Sequence, residues 1–167
     1  MQTLLLLRHA KSSWDDPALD DHERPLAPRG RRASGRICAH MRSTRLEPEV
    51  VLCSTARRAR ETLELVRPAF PSSVVSIEDE LYAASADELL TRIRRVGDSV
   101  ASVLVIGHNP GLQQLALLLA SGGDGLEQLE AKFPTAALAT LTLDATWSRL
   151  APGGASLAAY VVPRQLG

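Results

Sequence analysis

The sequence predicts an α/β fold: a three-layer α/β/α sandwich with a mainly parallel sheet and antiparallel C-terminal strands. Two observations carry that expectation. Short apolar or β-branched runs alternate with stretches of helical periodicity along most of the chain, the pattern of parallel strands joined by crossover helices. The last two apolar runs, ALATLTL and LAAYVV, instead flank the turn-rich Ala151-Pro152-Gly153-Gly154, as a closing antiparallel pair would.

The first strand is TLLLLR, followed by a helix near Gly30 to Met41 and the strand EVVLCS. In the next helix, near Arg57 to Phe70, Ala59, Leu63, Val66 and Phe70 recur at steps of four, three and four, which puts them on one core-facing stripe. Arg58, Arg60 and Glu61 lie off that stripe. After the strand SVVSI, Ser85 and Glu88 fit a capping box that opens a helix near Asp87 to Val96, with Leu89, Ile93 and Val96 inward. The strand SVLVIG leads into Gly107-His108-Asn109-Pro110-Gly111, where Asn109 suits an N-cap and Pro110 the first helical position. Leu112, Leu115, Ala116 and Leu119 form that helix's apolar face, and Gly122 and Gly123 are expected to end it.

At 167 residues and 45% hydrophobic content, the expectation is one domain spanning 1–167. Nineteen Lys and Arg balance nineteen Asp and Glu, so no global field draws the chain to nucleic acid or a membrane. Any anion site must be local. Cys38 and Cys53 form no CxxC pattern, which argues against a zinc knuckle or a disulfide scaffold. The apolar run Leu4 to Leu7 is interrupted at once by Arg8, His9 and Lys11, so neither a signal peptide nor a membrane span is expected there. A cytoplasmic location follows as the expectation.

Arg8-His9 follows the first strand, Ser54 with Arg57 and Arg58 the second, and His108 a later one. The carboxyl ends of parallel strands share one sheet edge, where ligands bind, so these residues are expected to converge. Guanidiniums, imidazoles and helix amino ends in one crevice suit a phosphoryl dianion. A neutral imidazole is also a competent nucleophile when its second nitrogen is held by a hydrogen bond, and on this ground His9 and His108 are both candidates.

The segments LLLLRHAKSSW, STARRARET and VLVIGHNPG resemble the histidine phosphatase superfamily, especially its short bacterial phosphohistidine phosphatase branch. DDHERPLAPRG and KFPTAALATLTL are similar to that branch too, so the resemblance spans nearly the whole chain. It implies a phosphoglycerate mutase-like fold, His9 as nucleophile and Arg8 as its phosphate-binding neighbour. Arg58, not Arg57, takes the second arginine place, because the family spacing is Ser, three residues, Arg-Ala, counted from Ser54. His108 is implied as a hydrogen-bond donor to the transferring phosphoryl group, and Arg24 as an outer phosphate or substrate contact. The implied reaction is in-line attack by His9, a phosphohistidine intermediate and hydrolysis, with no metal and no cofactor.

Two departures matter. The family's Arg-His-Gly reads Arg8-His9-Ala10, a small-for-small change. Where mutase-like and broad-specificity branches carry Leu-x-Glu, this chain reads Leu81-Tyr82-Ala83 and lacks the acid that protonates an alkoxide leaving group. General acid catalysis contributes about 10²–10⁴ in rate. A phosphohistidine can dispense with it once its imidazole is protonated, so N-phosphorylated substrates are favoured. Glu80, Asp15 and Asp16 are the nearby carboxylates that leave the acid's identity open. Asp15 stands where broader-activity relatives often carry a phosphate-contacting Asn, and a carboxylate there repels a dianion.

Plainer readings apply elsewhere. Arg57 and Arg60 read as a solvated basic face, His22 and His40 as exposed, Trp14 as a packing residue ahead of its alternative role of closing the pocket rim, and Cys53 as buried strand. A cysteine phosphatase loop needs five residues between Cys and Arg, and Ala59 occupies that position after Cys53. No HExxH, Walker loop or GxSxG elbow is present. Three functions remain: a phosphohistidine phosphatase acting on a phosphorylated protein or small phosphoramidate, a phosphomonoesterase or phosphoglycerate mutase-like enzyme, and a catalytically inactive phosphate- or phosphoprotein-binding domain.

Overall fold

A computed structural model describes residues 1–166. Seven strands form one sheet in the order β3-β2-β4-β1-β6-β7-β5. They are β1 (Thr3–Arg8), β2 (Val50–Ser54), β3 (Val74–Glu78), β4 (Ser102–Gly107), β5 (Ala120–Gly123), β6 (Leu138–Leu143) and β7 (Ala155–Val161). β6 runs antiparallel to both its neighbours, β1 and β7, while the remaining pairs are parallel. The expected α/β/α layering and C-terminal antiparallel pair are therefore present, with β7 and β5 returning to the direction of β1.

The helices are α1 (Pro28–Thr44), α2 (Arg57–Val66), α3 (Ala86–Arg94), α4 (Gly111–Leu119) and α5 (Leu126–Ala131). The four leucines of β1 explain why the sheet is covered on both faces. Leu5 and Leu7 pack with Ile37 and Met41 of α1 and Leu63 and Val66 of α2. Leu4 and Leu6 pack with Leu89 and Ile93 of α3 and Leu112 and Leu115 of α4. All four leucines are at most 1% exposed. Each such burial stabilises by roughly 1.5–3 kcal/mol, which anchors β1 and fixes where its last residues emerge.

The capping box of α3 forms as expected, with Ser85 Oγ accepting from the Glu88 N–H and Glu88 accepting from the Ser85 N–H. Several boundaries differ. Pro110 occupies the N-cap position, so α4 begins one residue later than expected, and Asn109 Oδ1 caps it by accepting from the Gln113 N–H at 3.2 Å. Gly122 and Gly123 belong to the edge strand β5 rather than simply ending α4. A Cβ at Gly123 would lie 2.0 Å from the Leu157 carbonyl oxygen, so the close pairing of β5 with β7 requires glycine there. α2 stops at Val66 and gives way to a 3₁₀ turn, Arg67–Ala69, yet Phe70 still buries in the core.

Candidate active site

The strand register brings the candidate residues together. Arg8 pairs with Gly107 across β1 and β4, so His9 and His108 emerge side by side, their ring centroids 5.1 Å apart. Cys53 pairs with Ile106 across β2 and β4, which sets Ser54 beside His108. A cavity of about 300 Å³ opens there, and Arg8, His9, Arg24, Arg58 and His108 all line it.

His9 is 6% exposed and its backbone is pinned from two sides. Its N–H donates to the Gly107 carbonyl, and its carbonyl, with that of Arg8, accepts from the Ala136 N–H. Ring Nδ1 lies 2.7 Å from the Ala10 carbonyl oxygen, which can only accept, so Nδ1 carries the proton. Nε2 is left with its lone pair, 3.4 Å from the Arg58 Nε–H. The Ala10 N–H in turn donates to Thr62 Oγ1, whose hydroxyl donates to the Arg58 carbonyl. Thr62 on α2 thereby ties the residue that orients His9 to the backbone that carries Arg58. Burial, with lesser pressure from His108, Arg58 and Arg8, pushes the His9 pKa down to about 3 despite the Ala10 bond. The ring is neutral and Nε2 is available at physiological pH.

His108 is held by its other side. Ser54 Oγ, fully buried, accepts from the Ala56 N–H at 3.2 Å and lies 2.8 Å from His108 Nε2. The Ser54 hydroxyl can donate to Nε2 or accept from it, and Arg58, on the other side of the ring, can only donate toward Nδ1. In the tautomer in which Ser54 donates to Nε2, Nδ1–H and the Arg58 terminal nitrogen, 3.5 Å apart, are two donors that an oxyanion between them would satisfy. Burial, then the Arg58 charge, lowers the His108 pKa to about 4.

Arg58 is 6% exposed, so its side chain is part of the pocket wall and not of a solvated helix face. It donates to the Asp21 carbonyl at 2.7 Å and to Asp21 Oδ2 at 3.0 Å. Arg8 donates to the Phe133 carbonyl, while its buried Nε has no partner among the described residues. Burial and the neighbouring Arg58 charge lower the Arg8 pKa. An orphan donor on a strained cation is the kind of group a phosphoryl oxygen stabilises. Arg24 lines the cavity too, but four of its five N–H groups are directed to Asp21, Ser12 and Ser13.

Asp21 is the residue that sequence reasoning missed. It lies in a 3₁₀ turn, Asp21–Glu23, and its carboxylate accepts from Arg24, Arg58 and the Tyr82 hydroxyl, the last at 2.6 Å. The Tyr82 bond, helped by Arg58 and opposed by partial desolvation, holds its pKa at about 2. Tyr82, whose own pKa is raised by that bond, also sets its ring edge against His108. The Asp21-x-x-Arg24 spacing could have signalled the pair, since residues three apart on a helical turn meet.

The other carboxylates take no part. Glu80 pairs with Arg95 and Arg92, and neither it nor Asp15 or Asp16 lines the cavity. Ala83, where the resemblance leads one to look for an acid, does line it. Trp14 is 69% exposed at the rim with the Arg24 guanidinium carbon 3.5 Å from its ring centroid, which corrects the packing reading. His22 is half-buried rather than exposed, bridging Glu23 and Thr55 against the Tyr82 ring. His40 is half-buried as well. Arg57 pairs with Glu61, and Arg60 donates to the Thr55 carbonyl, both outside the cavity. Burial pushes the Cys53 thiol up to about 12, which makes it an inert strand residue.

Residues 4–83 match the model of the histidine phosphatase superfamily (branch 1). The chain is 30% identical over 155 residues to phosphohistidine phosphatase SixA of Escherichia coli (strain K12), covering 84% of this chain and 85% of that one. This chain belongs to the histidine phosphatase superfamily. Within the superfamily, it is 41% identical over 162 residues to an uncharacterized protein of Mycobacterium tuberculosis (strain H37Rv), covering 95% of this chain and all of that one. The structure of a protein histidine phosphatase SixA complexed with tungstate superposes with a TM-score of 0.81 at 28% identity, covering 99% of this chain and 100% of that one. Among the described residues no group of three or more His, Cys, Asp or Glu is placed to hold a metal ion, and no helix is long and apolar enough to cross a membrane.

Proposed function

We propose that this chain is a phosphohistidine phosphatase in which His9 Nε2 attacks phosphorus and is transiently phosphorylated. The Nδ1–H bond to Ala10 supports that assignment, because it holds the lone pair on Nε2 and stabilises the cationic ring that forms as phosphorus is attacked. In-line attack breaks the bond between phosphorus and the leaving nitrogen, and the leaving imidazole departs neutral because it was protonated beforehand. Water then attacks the phosphohistidine, returning His9 and releasing inorganic phosphate. Arg8, Arg58 and His108 Nδ1–H stabilise the equatorial oxygens, and Arg24 acts through Asp21 and Ser12 rather than on phosphate. The scheme draws its positive charge from these side chains and asks for no metal ion. Tungstate, the tetrahedral oxyanion in the SixA relative, is of the same ligand class.

The choice of substrate rests on one observation. Asp21, the cavity's single carboxylate among the described residues, accepts from two arginines and a tyrosine and is ionised down to about pH 2. It has no proton to give to an alkoxide, and Tyr82 commits its proton to Asp21. A phosphate ester therefore lacks a general acid worth about 10²–10⁴ in rate, whereas a phosphohistidine needs none from the enzyme. The test compares a phosphohistidine protein with small phosphate esters in wild type and His9→Ala. We expect kcat/KM for the phosphohistidine protein to exceed that for esters by about 10²-fold or more, and to vanish in His9→Ala. Faster His9-dependent ester turnover would instead identify a phosphomonoesterase. Binding of phosphoprotein without any turnover would identify a binding domain.

A further inference from the structure

A second cavity, of about 510 Å³, adjoins the first, and Lys11 and Thr135 line both. Its walls carry Lys11, Arg29, Arg36, Lys132 and Arg164, and among the described residues no Asp or Glu lines it. None of these five cations has a salt-bridge partner among the described residues. The buried Nε of Arg36 has no hydrogen-bond partner either. In a chain of zero formal net charge, this is a strong local segregation, and its field favours an anion beside the catalytic pocket.

The floor is aliphatic. Ala33 and Val162 are buried there, next to Pro134 and Pro163. The five cations are carried by the segment after β1, by α1, by the residue that follows α5 and by the C-terminal segment, around a cavity of about 510 Å³, rather than by one loop as in a dedicated phosphate clamp. They suit instead an extended ligand with several carboxylates and apolar side chains between them. Single-stranded nucleic acid is a poorer match, because it needs exposed stacking faces. The one aromatic residue here, Tyr160, is half-buried with its hydroxyl donating to the Lys132 carbonyl at 2.5 Å.

We propose that this cavity docks an acidic segment of the phosphohistidine protein, placing the phosphorylated side chain past Lys11 into the pocket that holds His9. The inference rests on the phosphohistidine phosphatase reading and extends it to substrate selection. Docking charge acts on encounter and binding, so it governs KM and not kcat.

The test uses Lys132→Glu/Arg164→Glu and Arg29→Glu, all at exposed positions outside the catalytic cavity. Fluorescence anisotropy first measures binding of a labelled peptide of alternating Glu and Leu to wild type and variants. We expect binding that weakens at least tenfold in the double variant and in high salt. Kinetics then compare a phosphohistidine protein with phosphoramidate. KM for the protein should rise about tenfold at constant kcat, while phosphoramidate turnover is unchanged. The docking proposal alone is overturned if wild type dephosphorylates the protein but its KM and the peptide affinity ignore the charge reversals. Stronger competition by inorganic diphosphate or single-stranded RNA than by the acidic peptide overturns it as well. If phosphohistidine protein is not a substrate of wild type at all, the failure lies in the functional reading, and docking to such a substrate falls with it.

Discussion

Ser54→Ala removes the side chain that decides which nitrogen of His108 carries the proton. The hydroxyl is fully buried, 2.8 Å from Nε2, and in the proposed mechanism it donates there, leaving Nδ1–H to serve the phosphoryl oxygens. A net hydrogen bond of this kind is worth about 0.5–1.5 kcal/mol. Since about 1.4 kcal/mol is tenfold in an equilibrium, losing it lowers the share of His108 in the competent tautomer by roughly 2–10-fold. The expected fall in kcat/KM is of that size, well short of the roughly 10²–10³ lost when an oxyanion donor is deleted outright, as in His108→Ala. Steady-state kinetics give the rate, and ¹⁵N NMR of the imidazole gives the tautomer. Ser54→Thr keeps the hydroxyl and should recover the wild-type tautomer even where its extra methyl costs stability. The reasoning is refuted if Ser54→Ala leaves both the ¹⁵N signature and kcat/KM unchanged, or if it is as damaging as His108→Ala.

Three further outcomes follow from the same geometry. Thr62→Val keeps the shape but strips the Ala10 N–H of its acceptor in a buried site, so stability should drop by about 1–3 kcal/mol, measured by urea unfolding, with kcat reduced as His9 loosens. A drop confined to stability would show that Thr62 does not orient the nucleophile. His9 and His108 are held neutral in the fold, at about 3 and about 4, against about 6.5 in the unfolded chain. The unfolded state therefore binds more protons between those values, and stability should be fully present above pH 6.5 and decline as pH falls toward 4. Asp21, depressed to about 2, adds its own loss only below about pH 4. Unfolding free energies that stay level from pH 7 to 4.5 would contradict the neutral pair. Finally, alkylating reagents at pH 8 should leave Cys53 unmodified and activity intact, because burial keeps its thiol protonated; loss of activity tracking its modification would reopen the cysteine phosphatase reading.

How much was legible in the sequence differs by residue. β1, β2 and β4 announced themselves through continuous apolar runs, and parallel register alone then required Arg8, His9, Ser54 and His108 to share an edge. Arg58 was legible only by its spacing from Ser54, because on α2 alone it looks like one more exposed cation. On the open side it is held by the 3₁₀ turn Asp21–Glu23, through the carbonyl and carboxylate of Asp21. Asp21 was hidden because an acidic loop reads as solvated, and its position depends on Tyr82, 61 residues away. β5 was hidden for a related reason: Gly122 and Gly123 signal a turn locally, and only pairing with β7 makes them a strand. The adjoining basic cavity gathers residues from α1, α5 and the C-terminal segment that no local pattern connects.

The central claim is that phosphorus passes through Nε2 of His9. Wild type and His9→Ala should be mixed briefly with a phosphohistidine donor, quenched in alkali and digested, and the phosphorylated peptide mapped by mass spectrometry. The expected result is an acid-labile, alkali-stable phosphoryl group on the peptide containing His9, absent from His9→Ala, which also loses turnover. A phosphoryl group on His108, or undiminished turnover by His9→Ala, would contradict the account.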